Sequence, residues 1–297
     1  MTEPDGTDAF VAHRNLLFTV AYEMLGSAAD AEDVLQETWL RWAAWNERSD
    51  LAEVREPRAY LVRITTRLAL NRIRTLSRRR ETYVGPWLPE PLLTSPDVAE
   101  DVELAESVST AMLLVLETLT PTERAVFVLR EVFDLPYDEI AAAVDKSAAA
   151  VRQIAHRARS HVEARRPREL VTDQARTAVV ERFMLAAATG DLQGLMDVLA
   201  PDVVLITDGG GKKQAALKPI RGADKVLRFM AGVRDRVGDA GVVPLVLNGE
   251  IGFGLLLEGA IESVVTMRID GGQVTGLYLV RNPDKLGRVA EAVELSR

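Results

Sequence analysis

Apolar residues in the front half of the chain recur at helical intervals. From Leu16 to Leu25 they fall every three or four positions, and Gly26-Ser27 ends the run. Asp30 then opens a second amphipathic stretch through Trp42, with acids in its first turn where the helix dipole favours them. The polar segment from Asn46 to Pro57 predicts a loop. Arg58 to about Arg79 predicts a long helix with Leu61, Ile64, Leu68 and Ile73 facing inward. Four prolines, at 86, 89, 91 and 96, rule out a continuous helix from Tyr83 to Val102, which is read as an extended linker. Periodicity resumes from Val108 to Leu119. Another helix starts at Pro121, where proline suits the first turn, and Tyr137 to Val144 forms a short amphipathic helix before the break Asp145-Lys146.

Beyond about Leu170 the texture changes. Two helical stretches, Thr172–Ala188 and Asp191–Leu199, precede β-rich runs at 203–207, 242–248, 253–257, 261–270 and 274–280, and Asp270-Gly271-Gly272 is a hairpin signal. Helices followed by a mostly antiparallel sheet predict an α+β domain separate from an all-helical front. At 297 residues the chain is long enough for two or three domains.

Composition narrows the chemistry. Cysteine is absent, so disulfides, thiolate metal sites and cysteine nucleophiles are excluded. No apolar run approaches the 18 to 20 residues of a membrane span, and the start lacks the pattern of a signal peptide, so no membrane partner and a cytoplasmic location are expected. The formal charge is −8, yet its distribution is uneven. Residues 55–80 hold nine arginines against Glu56 alone, whereas 81–120 hold eight acids and no Lys or Arg. The field that a polyanion meets depends on such local patches, not on the average.

The second basic element begins after Lys146. Ser147 is placed to cap a helix whose Ala148-Ala149-Ala150 start is slim enough for a major groove, with Val151, Ile154, Ala155 and Ala158 inward. Arg152, Gln153, His156, Arg157 and Arg159 then face outward, and the basic stretch is read as helical to Arg168. Arg and Gln can pair bidentately with guanine and adenine edges, while distal arginines suit phosphates. Helix, tight break, basic helix is the pattern of a helix-turn-helix DNA reader. In the first basic element Arg63, Arg67, Asn71, Arg74 and Arg78 make one stripe without interleaved carboxylates, which repels itself unless a polyanion lies across it.

These motifs together resemble the extracytoplasmic-function group of bacterial sigma factors, over roughly Phe10 to Arg166. The segment Asp30 to Glu37 is similar to the helix by which the second region docks on RNA polymerase. The resemblance makes Asp33, Gln36 and Glu37 candidate polymerase contacts, and Arg63, Arg67, Asn71 and Arg74 candidates for the non-template strand of the minus-ten element. Leu119-Thr120-Pro121-Thr122-Glu123-Arg124 and the helix-turn-helix resemble the fourth region, which reads the minus-thirty-five element through Arg152, Gln153, His156, Arg157 and Arg159. The implied layout is a second-region helical bundle over 8–80, an acidic linker over 81–107, the fourth region over 108–168, and a SnoaL-like, NTF2-like α+β cone over 172–297. Core polymerase and promoter DNA are the implied partners.

Three short strings narrow the resemblance to sigma factors with a fused carboxy-terminal extension: Trp87-Leu88-Pro89-Glu90-Pro91, Asp208-Gly209-Gly210-Gly211-Lys212 and Asn282-Pro283-Asp284-Lys285-Leu286. In that group the extension is thought to adjust activity from within the chain. Trp87 and its prolines are expected to form a stiff strip facing the other two strings, with Glu90 meeting Lys212 or Lys285. The glycines are not a phosphate-binding Walker loop, because the Gly-Lys-Ser/Thr ending is missing and no following helix is evident. The alternative is a one-component regulator whose cone senses a small molecule or acts as a cyclase. All three histidines, 13, 156 and 161, lie outside the tail, and neither a catalytic residue, a metal nor a cofactor is expected. A plain regulator needs neither the arginine stripe nor an acidic docking helix.

Overall fold

A computed structural model describes residues 6–46, 56–94, 102–165, 173–237, 241–289, 293 and 295–296. Side chains at 6, 77–79, 102–103, 173 and 234–237 are outside that description, as are residues 47–55, where a loop is expected, and the arginines at 166 and 168.

The front is a bundle of α1 (Gly6–Leu25), α2 (Ala28–Asn46) and α3 (Pro57–Glu81). Gly26, at φ +67°, turns the chain out of α1. Helix α2 starts at Ala28, two residues before the expected Asp30, because Ser27 caps it by accepting from the Asp30 amide at 3.2 Å. After the extended residues 82–94 come α4 (Val102–Val108) and α5 (Thr110–Leu116), so the segment read as linker to 107 is already helical from Val102. Helix α6 (Pro121–Phe127) opens with a reciprocal capping box between Thr120 and Glu123, and it continues into a π-helical turn, Val128–Val132. Helices α7 (Tyr137–Val144) and α8 (Ala148–Glu163) follow. The turn between them is made by Asp145 in the left-handed region, which ends α7, and Ser147, whose Oγ accepts from the Ala150 amide. Helix α8 stops at Glu163, five residues short of the expected end.

The tail holds α9 (Asp173–Thr189) and α10 (Leu192–Val198), then β1 (Leu199–Asp208), β2 (Ile220–Arg221), α11 (Ala223–Val237), β3 (Gly241–Leu247), β4 (Glu250–Leu257), β5 (Ala260–Asp270) and β6 (Gln273–Val280). The sheet order is β2-β1-β6-β5-β4-β3; only β1 and β6 run parallel. Both β2 and α11 are absent from the sequence reading. A helix therefore does follow the triple-glycine loop, though only after eleven intervening residues.

Two cores result. One joins both helical regions through Leu17, Tyr22, Leu61, Leu92, Leu113, Leu129 and Val151, and the other fills the cone around Phe183, Val203, Val226 and Val274. A third, smaller cluster bridges them: Leu88 of the linker packs with Leu247, Val264, Tyr278, Val280 and Val289 of the tail. Fully burying a leucine contributes about 1.5–3 kcal/mol, so Leu88 and Leu92 alone bind the linker firmly on both sides.

Candidate nucleic-acid interface and interdomain seam

In α8 the inward residues Val151, Ala155, Ala158 and Val162 are buried, and Arg152, Gln153, His156, Arg157 and Arg159 are exposed. Their environments differ. The Arg152 guanidinium lies 5.4 Å from the centre of the Tyr137 ring, which fixes its start above α7. Arg159, expected to reach DNA, is instead held bidentately by Glu131 at 2.6 and 3.0 Å, and that carboxylate holds its pKa up. This fork braces α8 on the π-turn while leaving Arg159 on the exposed face of the helix.

The stripe on α3 is also partly engaged. Arg63 sits over the Tyr60 ring, and Arg74 donates to Asn71 Oδ1 at 3.3 Å. Arg67 donates from Nη2 to the carbonyl of Ala142 in α7 at 2.9 Å. The minus-ten candidate surface of α3 is thus packed on the helix that precedes the minus-thirty-five candidate reader. On α2, Gln36 and Glu37 are exposed, Glu37 pairing with Arg41, while Asp33 accepts from Arg72 at 2.7 Å.

The structure brings the three strings into one seam. Asp208 is fully buried at the end of β1 and accepts four bonds: from Tyr83 Oη (2.6 Å), the Leu88 amide (2.9 Å), the Gly210 amide (3.0 Å) and Lys285 Nζ (2.7 Å). Lys285 also donates to the Leu88 carbonyl and lies 4.3 Å from the centre of the Trp87 ring. Burial pushes its amine down to about 8, against the pull of Asp208. Asn282 donates to Tyr83 Oη at 2.9 Å. Gly210 is required beside it: φ is +59°, and a Cβ would collide with the Asn282 amide. Pro89 and Pro91 are buried in the strip, whereas Lys212 pairs with Asp284 at the exposed rim beside Pro283, Leu286 being half-buried.

Glu90 meets neither Lys212 nor Lys285. Its carboxylate turns the other way and accepts from the Ala28 and Ala29 amides, at 2.8 and 3.3 Å, adding a second cap to α2. Two unsatisfied helix donors outcompete an exposed or already paired ammonium for that acid. Burial raises the Glu90 pKa, with those amides opposing. The strip therefore grips the tail through Leu88 and the front through Glu90.

Sequence reasoning missed the second grip. Asn248 and Gly249 form the tip of the β3–β4 hairpin, both with φ above +50°. Asn248 Nδ2 donates to Tyr22 Oη (2.6 Å) and the Val108 carbonyl (3.0 Å), and its Oδ1 accepts from the Leu92 amide (3.0 Å). One tail residue thereby joins α1, the linker and α4. Its available signal was the Asn-Gly dipeptide, a strong hairpin mark. The C-terminal segment adds contacts from Val293 to Leu93 and from Ser296 to Thr19.

Sigma-70 region 2 matches residues 9–79, and Sigma-70 region 4 matches residues 109–162. With a helix-turn-helix in the second match and an arginine-faced helix in the first, the chain is a sigma-70-type initiation factor. Over 292 residues it is 39% identical to the ECF RNA polymerase sigma factor SigJ of Mycobacterium tuberculosis, covering 93% of this chain and 91% of that one. The probable ECF sigma factor SigI of the same organism is 32% identical over 282 residues, covering 94% and 93%. The crystal structure of SigJ superposes with a TM-score of 0.77 at 37% identity, covering 94% of this chain and 98% of that chain. The chain belongs to the extracytoplasmic-function family of RNA polymerase sigma factors, and its tail is an α+β domain fused behind the two regions.

Proposed function

We propose that the chain binds core RNA polymerase and opens specific promoters in the cytoplasm, and that the tail restrains it in the closed arrangement described above. The single observation that carries the restraint is the hydrogen bond from Arg67 to Ala142: α7 of region 4 is packed on the α3 face that would hold the minus-ten strand, which ties the two promoter-binding regions together. No helix among the described residues is long and apolar enough to cross a membrane. In the open form Arg63, Arg67, Asn71 and Arg74 take the melted minus-ten strand. Arg152, Gln153, His156 and Arg157 take the upstream duplex, and Gln36, Glu37 and Asp33 face the polymerase. The tail is regulatory in this reading and not catalytic: Asp208, the buried acid at the end of β1, already accepts four bonds in the seam.

Run-off transcription with purified core polymerase tests the assignment. Arg152→Ala removes a candidate bidentate base contact, each worth about 1–3 kcal/mol, and weakens upstream duplex binding accordingly. Arg67→Ala impairs open-complex formation and leaves duplex affinity largely intact. Equal effects of both variants in both assays contradict the division of labour, and failure to associate with core polymerase contradicts the whole reading.

A further inference from the structure

Where α1 ends, two guanidinium groups from different regions meet. Arg124 of α6, 4% exposed, donates from Nε to the Glu23 carbonyl at 2.8 Å, and Arg80 of α3 donates from Nη2 to the Leu25 carbonyl at 3.0 Å. Both supply donors to the last, otherwise unpaired carbonyls of a helix, at its negative end. Between them stands Glu117, the residue that ends α5, in ion pairs with both Arg80 and Arg124. Glu117 is thus the one acid shared by a region 2 arginine and a region 4 arginine among the described ion pairs. Arg124 depends on it: its Nη2 has no hydrogen-bond partner, and neither does Oε2 of the neighbouring buried Glu23.

Arg80 has a further neighbour. Its guanidinium stacks 3.8 Å from the centre of the Trp87 ring, the same ring that Lys285 of the tail approaches to 4.3 Å. The contacts therefore run without a gap from Lys285 through Trp87, Arg80 and Glu117 to Arg124. A flat guanidinium is positioned by an aromatic face in a way an ammonium is not.

We propose that Glu117 is a latch that fastens region 4 to region 2, and that Arg80, seated on Trp87, makes the latch sense whether the tail is docked. While the seam holds Trp87 in place, Arg80 is aimed at Glu117 and the end of α1. When the seam loosens, Trp87 no longer backs the guanidinium, Glu117 is left with Arg124 alone, and region 4 is released. This deepens the restraint proposed above by giving the tail a route to region 4, and it rests on that reading.

The chain lacks cysteine, so Val11→Cys on α1 and Ser160→Cys on α8, both exposed, accept a fluorophore pair that reports the separation of the two regions in the full chain. The expected result is that Glu117→Gln and Lys285→Met each raise the open population at least about fivefold, and that the two together open the chain less than the product of the single effects. Arg80→Lys keeps a charge for Glu117 but gives up the stack, and it should make the open population insensitive to Lys285→Met. These two variants differ in site, so the test survives if one of them fails to fold by circular dichroism. A Glu117→Gln chain that stays closed while Lys285→Met opens overturns the latch and leaves the restraint standing. Multiplicative effects of the pair overturn the relay from the tail. If Lys285→Met and truncation before Asn282 both leave the chain closed, the restraint itself falls.

Discussion

Replacing Asp208 by Asn should undock the strip from the tail. The two carboxylate oxygens serve two pairs of donors, Tyr83 Oη with the Gly210 amide and the Leu88 amide with Lys285 Nζ. An amide has one oxygen, so whichever way it turns, one NH2 faces two donors. Removing one partner of a buried ion pair costs about 3–5 kcal/mol. Here the lower end applies, because burial has already brought the Lys285 amine down to about 8 and a proton is readily lost near neutrality. About 3 kcal/mol corresponds to roughly a hundredfold shift in the docked-to-undocked ratio. Hydrogen exchange of the full chain reads this directly, since the Leu88 amide is itself a donor to Asp208: its protection should fall about a hundredfold. Lys285→Met leaves Asp208 three neutral donors and should cost less, about 1–3 kcal/mol. Unchanged protection at Leu88 in Asp208→Asn would refute the assignment of the seam to this carboxylate.

Arg159→Ala should leave base preference at the upstream element intact and lower stability by about 0.2–1 kcal/mol, the usual worth of an exposed pair, as measured by competition binding and urea unfolding. Burial pushes the Glu23 carboxyl up to about 8, with Ser107 and Arg124 opposing. Its contribution to stability is therefore fully present below the ordinary carboxylate range and is lost as pH rises toward about 8. Glu23→Gln should remove that part of the slope, at most about 1.4 kcal/mol per pH unit, in urea titrations at several pH values. Gly249→Ala places a Cβ 2.6 Å from the Ala105 backbone at a φ of +74° and should lower thermal stability clearly more than Gly259→Ala, where φ is +82° but nothing lies within 4 Å.

What could be read in advance followed from how local each cause is. Helix α8 and its cap were legible because Ser147 and the buried stripe from Val151 to Ala158 lie within three turns of each other. The end of α8 was not, since a run of arginines carries no stop signal. The seam strings were recognisable only through resemblance; nothing local to Asp208 indicates that its donors come from Tyr83 and Leu88, more than a hundred positions earlier. Glu90 was misassigned because charge suggested an ammonium partner, whereas the open amides of α2 lay closer. Arg80, Glu117 and Arg124 were invisible as a group for the same reason: three ordinary charged residues acquire a joint role only when α1, α3 and α6 converge. Helix α11 carries an apolar face through Val226, Leu227 and Met230, but the glycines around it at 209–211, 222 and 232 obscured the period.

The reach of Asn248 into the front of the molecule also sets an order of events during synthesis. The hydroxyl of Tyr22, the carbonyl of Val108 and the amide of Leu92 stay without that partner until the ribosome has passed position 248, which is 85 residues beyond the end of α8. At ordinary elongation rates this is an interval of roughly 4–17 s. During it both promoter-binding regions have been made while the strands that supply Asn248 have not, so on the proposed reading of the tail as a restraint a newborn chain passes through an unlocked stage before its own later strands fasten it.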